Sequence, residues 1–157
     1  MKTVLLCLGI FLFPFLSYNQ QFPDFYIKNI DNQNIKIIEI KGSTLTILDF
    51  WATLCKPCVN SIPKLQAISE KYKEKGVQFI GVNLDSPRKM AKVKPFSNSI
   101  GINYPVIFDS NQELTNEYSI TAIPTLIILD SNGNVLYTHE GFAIGDEKEI
   151  EKLLQGI

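Results

Sequence analysis

Apolar and polar positions alternate between two kinds of stretch along this chain. Residues 44–51, 77–83 and 124–129 are short, almost continuously apolar runs, the pattern of strands covered on both faces of a sheet. Other stretches repeat at helical spacing. From the 51–58 segment to about Lys75, Leu65, Ile68 and Tyr72 form one apolar stripe, and Lys71, Lys73, Glu74 and Lys75 crowd the exposed end before Gly76, a suitable closing glycine. Pro63 falls inside this helix and should kink it. Ser86-Pro87 opens a second helix, serine as N-cap and proline at the first position, which runs to about Ile100 with a second kink at Pro95 and stops at Gly101. Ser110-x-x-Glu113 resembles a capping box for a helix over 112–118. Asp146 is placed to cap a last helix whose Ile150, Leu153, Leu154 and Ile157 share one face. Residues 22–30 and 34–40 have strand content around the turn-prone Asp31-Asn32-Gln33, residues 104–108 form a short strand, and 135–137 pairs back on 124–129 through Asn132-Gly133. The predicted order is β-β-β-α-β-α-β-α-β-β-α, an α/β chain.

The first residues follow a different pattern. Lys2 precedes residues 4–16, which are nearly all apolar, a positive start and a hydrophobic stretch of secretory-leader length. The run is shorter than the ~20 residues that span a bilayer comfortably. Residues 1–19 are therefore read as a signal peptide and 20–157 as one domain, with an uncleaved membrane anchor as the alternative. Either way the protein is expected outside the cytoplasm, periplasmic or its equivalent. The chain of 157 residues has 45% hydrophobic and 20% charged residues and a net charge of −1, values of a globular domain with no call for a nucleic-acid partner.

Cysteine usage narrows the chemistry. Of the three cysteines, Cys7 lies in the leader, leaving Cys55 and Cys58. So small a loop gains little from being closed, and the pair is better explained by reactivity than by stapling. Cys55 sits at a strand-to-helix turn and Cys58 in the first helical turn, where unpaired N–H groups and the helix dipole favour thiolate over thiol. Pro57 suits that position because its missing N–H would have no partner in the helix. A structural zinc site usually takes four ligands, and covalent haem attachment needs a histidine after the second cysteine, where Val59 stands. Neither metal nor cofactor is expected.

Asp49-Phe50-Trp51-Ala52 before the pair, Lys56-Pro57 within it, Pro63 beyond it and Ile123-Pro124-Thr125 ahead of an apolar run resemble the thioredoxin superfamily. More narrowly, residues 22–157 resemble the extracytoplasmic thiol-disulfide oxidoreductases of the TlpA/ResA type. The resemblance implies a thioredoxin-like fold: a mixed central sheet with helices on both faces, an N-terminal β-hairpin, and an inserted helix and strand after residue 86. It implies that Cys55 attacks, its thiolate favoured by the helix N-terminus, the Cys58 thiol and Lys56, and that Cys58 resolves. Pro124 is then the cis-proline facing the pair, and the backbone of Ile123 receives an extended substrate segment. Asp49, six residues before Cys55, matches the buried carboxylate that moves protons for the second cysteine, its pKa raised by burial. Trp51 shields the disulfide as an apolar lid, and Lys56 and Pro57 border the substrate.

Two positions depart from the family pattern. Leu54 stands where thioredoxins carry a second tryptophan, and Ser61 where many relatives in cytochrome c maturation carry an acidic residue. His139, the lone histidine, reads as solvated on an edge strand, and Arg88, Lys89, Lys92 and Lys94 as a basic, solvated helix face. The expected function is reduction of protein disulfides by a monomer that draws electrons from a membrane donor of the thiol-transfer type. The competing readings are a thiol peroxidase, for which no Thr-x-x-Cys motif is present, and a binding module such as a copper carrier, whose cysteines are spaced by three.

Overall fold

The computed structural model describes residues 21–156; the leader at 1–19, Cys7 and Ile157 lie outside the described residues. Seven strands, β1 (Tyr26–Asn29), β2 (Asn34–Lys36), β3 (Leu45–Trp51), β4 (Val77–Asn83), β5 (Val106–Phe108), β6 (Thr125–Asp130) and β7 (Val135–Glu140), form one sheet in the order β2-β1-β5-β4-β3-β6-β7. Strands β3, β4 and β5 run parallel, and the remaining pairings are antiparallel. The helices are α1 (Lys56–Tyr72), α2 (Met90–Ser99), α3 (Glu113–Glu117) and α4 (Asp146–Leu154). This is the thioredoxin-like fold implied by the resemblance, with its N-terminal hairpin and inserted helix and strand.

Period-two alternation along the central strands divides the core between two faces. Leu45 and Ile47 of β3, Phe79 of β4 and Leu126 and Ile128 of β6 meet Leu65, Ile68 and Tyr72 of α1 and Ile150 and Leu154 of α4. On the opposite face Leu48 and Phe50 pack with Ile80, Val82, Ile107, Ile127 and Leu129, closed by Leu114 of α3 and by Ile37. All seven residues of β3 are buried, as its continuous apolar run predicted. α1 continues through Pro63 and passes into a 3₁₀ turn that ends at Gly76, whose φ of 80° is the left-handed conformation expected there.

Several local expectations are corrected. The hairpin strands are shorter than 22–30 and 34–40, because residues Ile37–Ile40 form a 3₁₀ turn that drives Ile37 into the core. Ser86 makes no capping bond, and Pro87–Lys89 is a 3₁₀ turn ahead of α2. The α3 cap is Asp109 and not Ser110: its carboxylate accepts the Leu114 and Thr115 N–H groups at 3.1 and 2.8 Å. Gln112, at φ 58°, turns the chain so that the end of β5 faces the helix start. Asp146 lies inside the first turn of α4, behind Gly145, and accepts from the Ala143 N–H at 2.7 Å instead of from the helix. His139 is only partly solvated. Its Nε2 lies 2.9 Å from Asp146 Oδ2 and its Nδ1 3.2 Å from the Tyr137 hydroxyl, because α4 folds back over the edge strand β7.

Candidate active site

Strand β3 ends at Trp51, and residues 52–55 turn back on themselves, the Cys55 N–H donating to the Ala52 carbonyl at 3.1 Å. Cys55 is the N-cap of α1, in extended conformation, and its sulfur accepts the Cys58 N–H at 3.2 Å. The sulfur thus takes a bond that an N-cap oxygen normally accepts. Cys55 and Cys58 form a disulfide with S–S 1.95 Å and Cα atoms 5.3 Å apart. The two sulfurs are not equivalent: Cys58 is wholly buried, whereas Cys55 is partly exposed. Lys56 and Pro57, in the first turn, face solvent.

Beneath the pair, Cys58 packs with Trp51, Ile62, Val93, Val106 and Phe108, and both Cys55 and Ile123 rest against this cluster. The Ile123–Pro124 peptide bond is cis, and Pro124 is buried at the start of β6. Pairs Cys55–Cys58 and Ile123–Pro124, far apart in the chain, therefore border one patch. Trp51 lies elsewhere than expected: it is fully buried under the pair and is not a lid over it. Its ring stacks on Phe96 of α2, centroids 6.3 Å apart.

Asp49 alternates onto the α1 face between Ile47 and Trp51. Its side chain is enclosed, and burial pushes its pKa from 3.8 to about 7, partly offset by the Tyr104 hydroxyl, which donates to Oδ2 at 2.9 Å. Tyr104 is itself raised well above its ordinary value, first by burial and then by the Asp49 carboxylate. A carboxyl group that titrates near neutrality inside the protein can take and return protons.

Two contributors escaped the sequence reading. Tyr104 was read only as a strand residue. Asp85, just past the end of β4, is buried and bonded to Thr53. Its available signal was Asn83-Leu84-Asp85 at the carboxyl end of a parallel strand, where sites of open α/β sheets gather. An open groove of about 430 Å³ lies beside the pair, lined by Thr53, Leu54, Lys56, Val59, Asn60 and Phe96, and Leu54 is 78% exposed in it.

The redoxin family model matches residues 18–154. The chain belongs to the redoxin family. Within it, the chain is similar to the thiol-disulfide oxidoreductase ResA of Bacillus anthracis, 32% identical over 121 residues that cover 77% of this chain and 68% of that protein. Among solved redoxin-like structures, a Chlorobium tepidum protein described as a thiol:disulfide interchange protein DsbE superposes with TM-score 0.77 at 31% identity, covering 88% of this chain and 95% of that one. StoA from Bacillus subtilis superposes with TM-score 0.67 at 27% identity, covering 83% and 95%. This redoxin is a ResA-like thiol-disulfide oxidoreductase, and its paired cysteines occupy the strand-to-helix turn.

Proposed function

We propose that this oxidoreductase works outside the cytoplasm and in the reducing direction on protein disulfides. The observation that carries the roles is the asymmetry of the pair, with Cys55 reachable and capped by an N–H and Cys58 buried. The Cys55 thiolate attacks one sulfur of the substrate disulfide, forming a mixed disulfide and releasing one substrate thiolate. The Cys58 thiolate then attacks Cys55 Sγ, the mixed disulfide breaks, the second substrate thiol leaves, and the enzyme carries two electrons fewer as the Cys55–Cys58 disulfide. Asp49 takes the Cys58 proton as that thiol becomes a nucleophile. An extended substrate segment lies along the Ile123–Pro124 backbone, with Lys56 and Pro57 at its border and Trp51 supporting the pair from below.

The enzyme is regenerated by a membrane donor of the thiol-transfer type and acts as a monomer. Residues 1–19 direct export; N-terminal sequencing of protein from the native host, with a start between residues 18 and 22, checks this. The deciding experiment for the function is trapping in cells with Cys58→Ala, which should accumulate mixed disulfides with client proteins through Cys55. Alkylation that labels Cys58 faster than Cys55 at mildly acidic pH would reverse the roles. A disulfide-reduction assay with and without copper separates catalysis from metal carriage.

A further inference from the structure

Asp85 takes no part in the exchange just described, yet its side chain, 3% exposed, is bound to the turn that carries Cys55. Past the end of β4 the chain runs beside the exit from β3, and the Leu84 N–H donates to the Trp51 carbonyl at 2.9 Å. Asp85 Oδ2 then accepts the Thr53 N–H at 2.8 Å, and Oδ1 accepts the Thr53 hydroxyl at 3.0 Å. Asn83 braces the carboxylate from behind, its Nδ2 donating to Oδ2 at 3.0 Å and its Oδ1 accepting the Asp85 N–H at 3.1 Å. Lys89 Nζ stands 3.8 Å from Oδ1. One carboxylate therefore grips both donors of Thr53, two residues before the nucleophile.

An amide would suffice to brace a turn. A carboxylate also brings negative charge, and a like charge near a thiol disfavours the thiolate. At this position it opposes the helix N-terminus, which favours the thiolate. A less stabilised thiolate makes the dithiol a better reductant, since strong oxidants of this chemistry are those whose reduced form is stabilised.

We propose that Asp85 is a positioning residue for Cys55, gripping the Thr53 end of the active-site turn and, through its charge, holding the pair toward the reducing end of its range. This rests on the proposed role of Cys55 as the nucleophile. The other charged or titratable groups around that turn and Asp85 are Lys56 beside Cys55, Lys89 across Asp85, the buried Asp109 that lines the same cleft as Asp85, Cys58 itself, and Asp49 with Tyr104 in the interior on the α1 face. All of them stay in place in the decisive variant, Asp85→Asn.

The test compares wild type with Asp85→Asn, Asp85→Ala, Thr53→Val and Lys89→Met. The readouts are the pH dependence of Cys55 alkylation in the reduced protein, the redox equilibrium with glutathione, and kcat/KM on a protein disulfide. Asp85→Asn, which keeps size and one acceptor oxygen, should move the Cys55 alkylation midpoint to lower pH and displace the glutathione equilibrium toward the reduced enzyme by about threefold to tenfold. Lys89→Met should move both the opposite way and less, because Lys89 is partly exposed and its ammonium stands 3.8 Å from Asp85 Oδ1. Asp85→Ala should follow Asp85→Asn in sign and lose stability as well. Thr53→Val should lower kcat/KM with a smaller displacement of the equilibrium. A purely structural aspartate would leave the midpoint and the equilibrium of Asp85→Asn at wild-type values, and that result overturns the charge role. Unchanged kcat/KM in Asp85→Ala and Thr53→Val overturns the positioning role. If wild type is alkylated first at Cys58, the nucleophile assignment fails, and the role given to Asp85 falls with it.

Discussion

The two faces of strand β3 share one backbone and total burial, and they differ in chemistry. Leu48 and Phe50 look into a layer of Ile80, Val82, Ile107, Ile127 and Leu129, hydrocarbon packed on hydrocarbon; at its rim the Tyr118 hydroxyl has no partner. Ile47, Asp49 and Trp51 look toward α1, and that face carries a buried carboxyl, an indole Nε1 with no hydrogen-bond partner, and the disulfide. Burying polar atoms in this way costs stability. The sheet therefore separates a mostly hydrocarbon face from one that holds a buried carboxyl and an unpaired indole N–H on the same side as the disulfide. Places where local rules fail are where function is expected.

Loss of the pair separates the faces most sharply. Cys55→Ser should lower disulfide reduction by about 10³-fold or more, to background, while Cys58→Ser retains attack and accumulates mixed disulfides. Non-reducing gels against a disulfide-bonded client read both. Neither change touches the hydrocarbon face, so denaturant midpoints of the reduced proteins should stay close to wild type.

Adjacent substitutions on β3 sharpen the contrast. Phe50→Ala should cost about 3–5 kcal/mol of stability through transfer and cavity terms, and leave the pH dependence of the folded enzyme unchanged. Asp49→Asn should do the reverse, lowering turnover near neutral pH by about 10²–10⁴-fold and less where water substitutes as base. Its effect on stability follows from linkage. Between the unfolded value of 3.8 and the folded value of about 7, the native state holds a proton that the unfolded chain has released. Wild-type stability from this group is therefore complete below pH 3.8 and falls as pH rises toward 7, by up to about 4 kcal/mol. Asp49→Asn should accordingly be the more stable protein at pH 8 and lose that advantage near pH 4. Urea midpoints at the two pH values measure this; equal differences at both would mean an Asp49 carboxyl without a raised pKa.

The contrast also explains what could be read in advance. The cysteine pair at a helix start and the burial of Asp49 in an apolar strand follow from local pattern, and the cis bond at Pro124 follows from the family resemblance carried by Ile123-Pro124-Thr125. The groups that tune the interior are not local. Tyr104 meets Asp49 across 55 residues and Asp85 meets Thr53 across 32, and no periodicity in either segment announces the partner. His139 was misread although its partner Asp146 lies only seven residues on, because the return of α4 over β7 is set by the loop between them. Trp51 was placed over the disulfide by family likeness. Its position in the last, fully buried turn of the β3 alternation puts it underneath, where Phe96 of the inserted helix covers it.

The smallest expected effect tests whether the rule-breaking face is organised or merely tolerated. Tyr104 reaches Asp49 because Gly81, opposite Asp49 in the β3–β4 register, has no side chain; a Cβ there would stand 3.3 Å from the Tyr104 ring and 3.0 Å from Trp51 Nε1. Tyr104→Phe keeps the ring and removes the one donor that lowers the Asp49 pKa. The Asp49 value should then rise above about 7, and the acidic limb of the pH–rate profile should move alkaline by about one unit. Turnover should fall severalfold at neutral pH and return toward wild type in mildly alkaline buffer, which a simple packing defect would not do. The high-pH form should also lose about 1–3 kcal/mol, because the carboxylate is left buried without its donor. Gly81→Ala should reproduce the alkaline movement by displacing the ring, with a packing cost added. A profile that moves in Asp49→Asn but stays fixed in Tyr104→Phe would leave Asp49 as a base set by burial alone, with Tyr104 filling space.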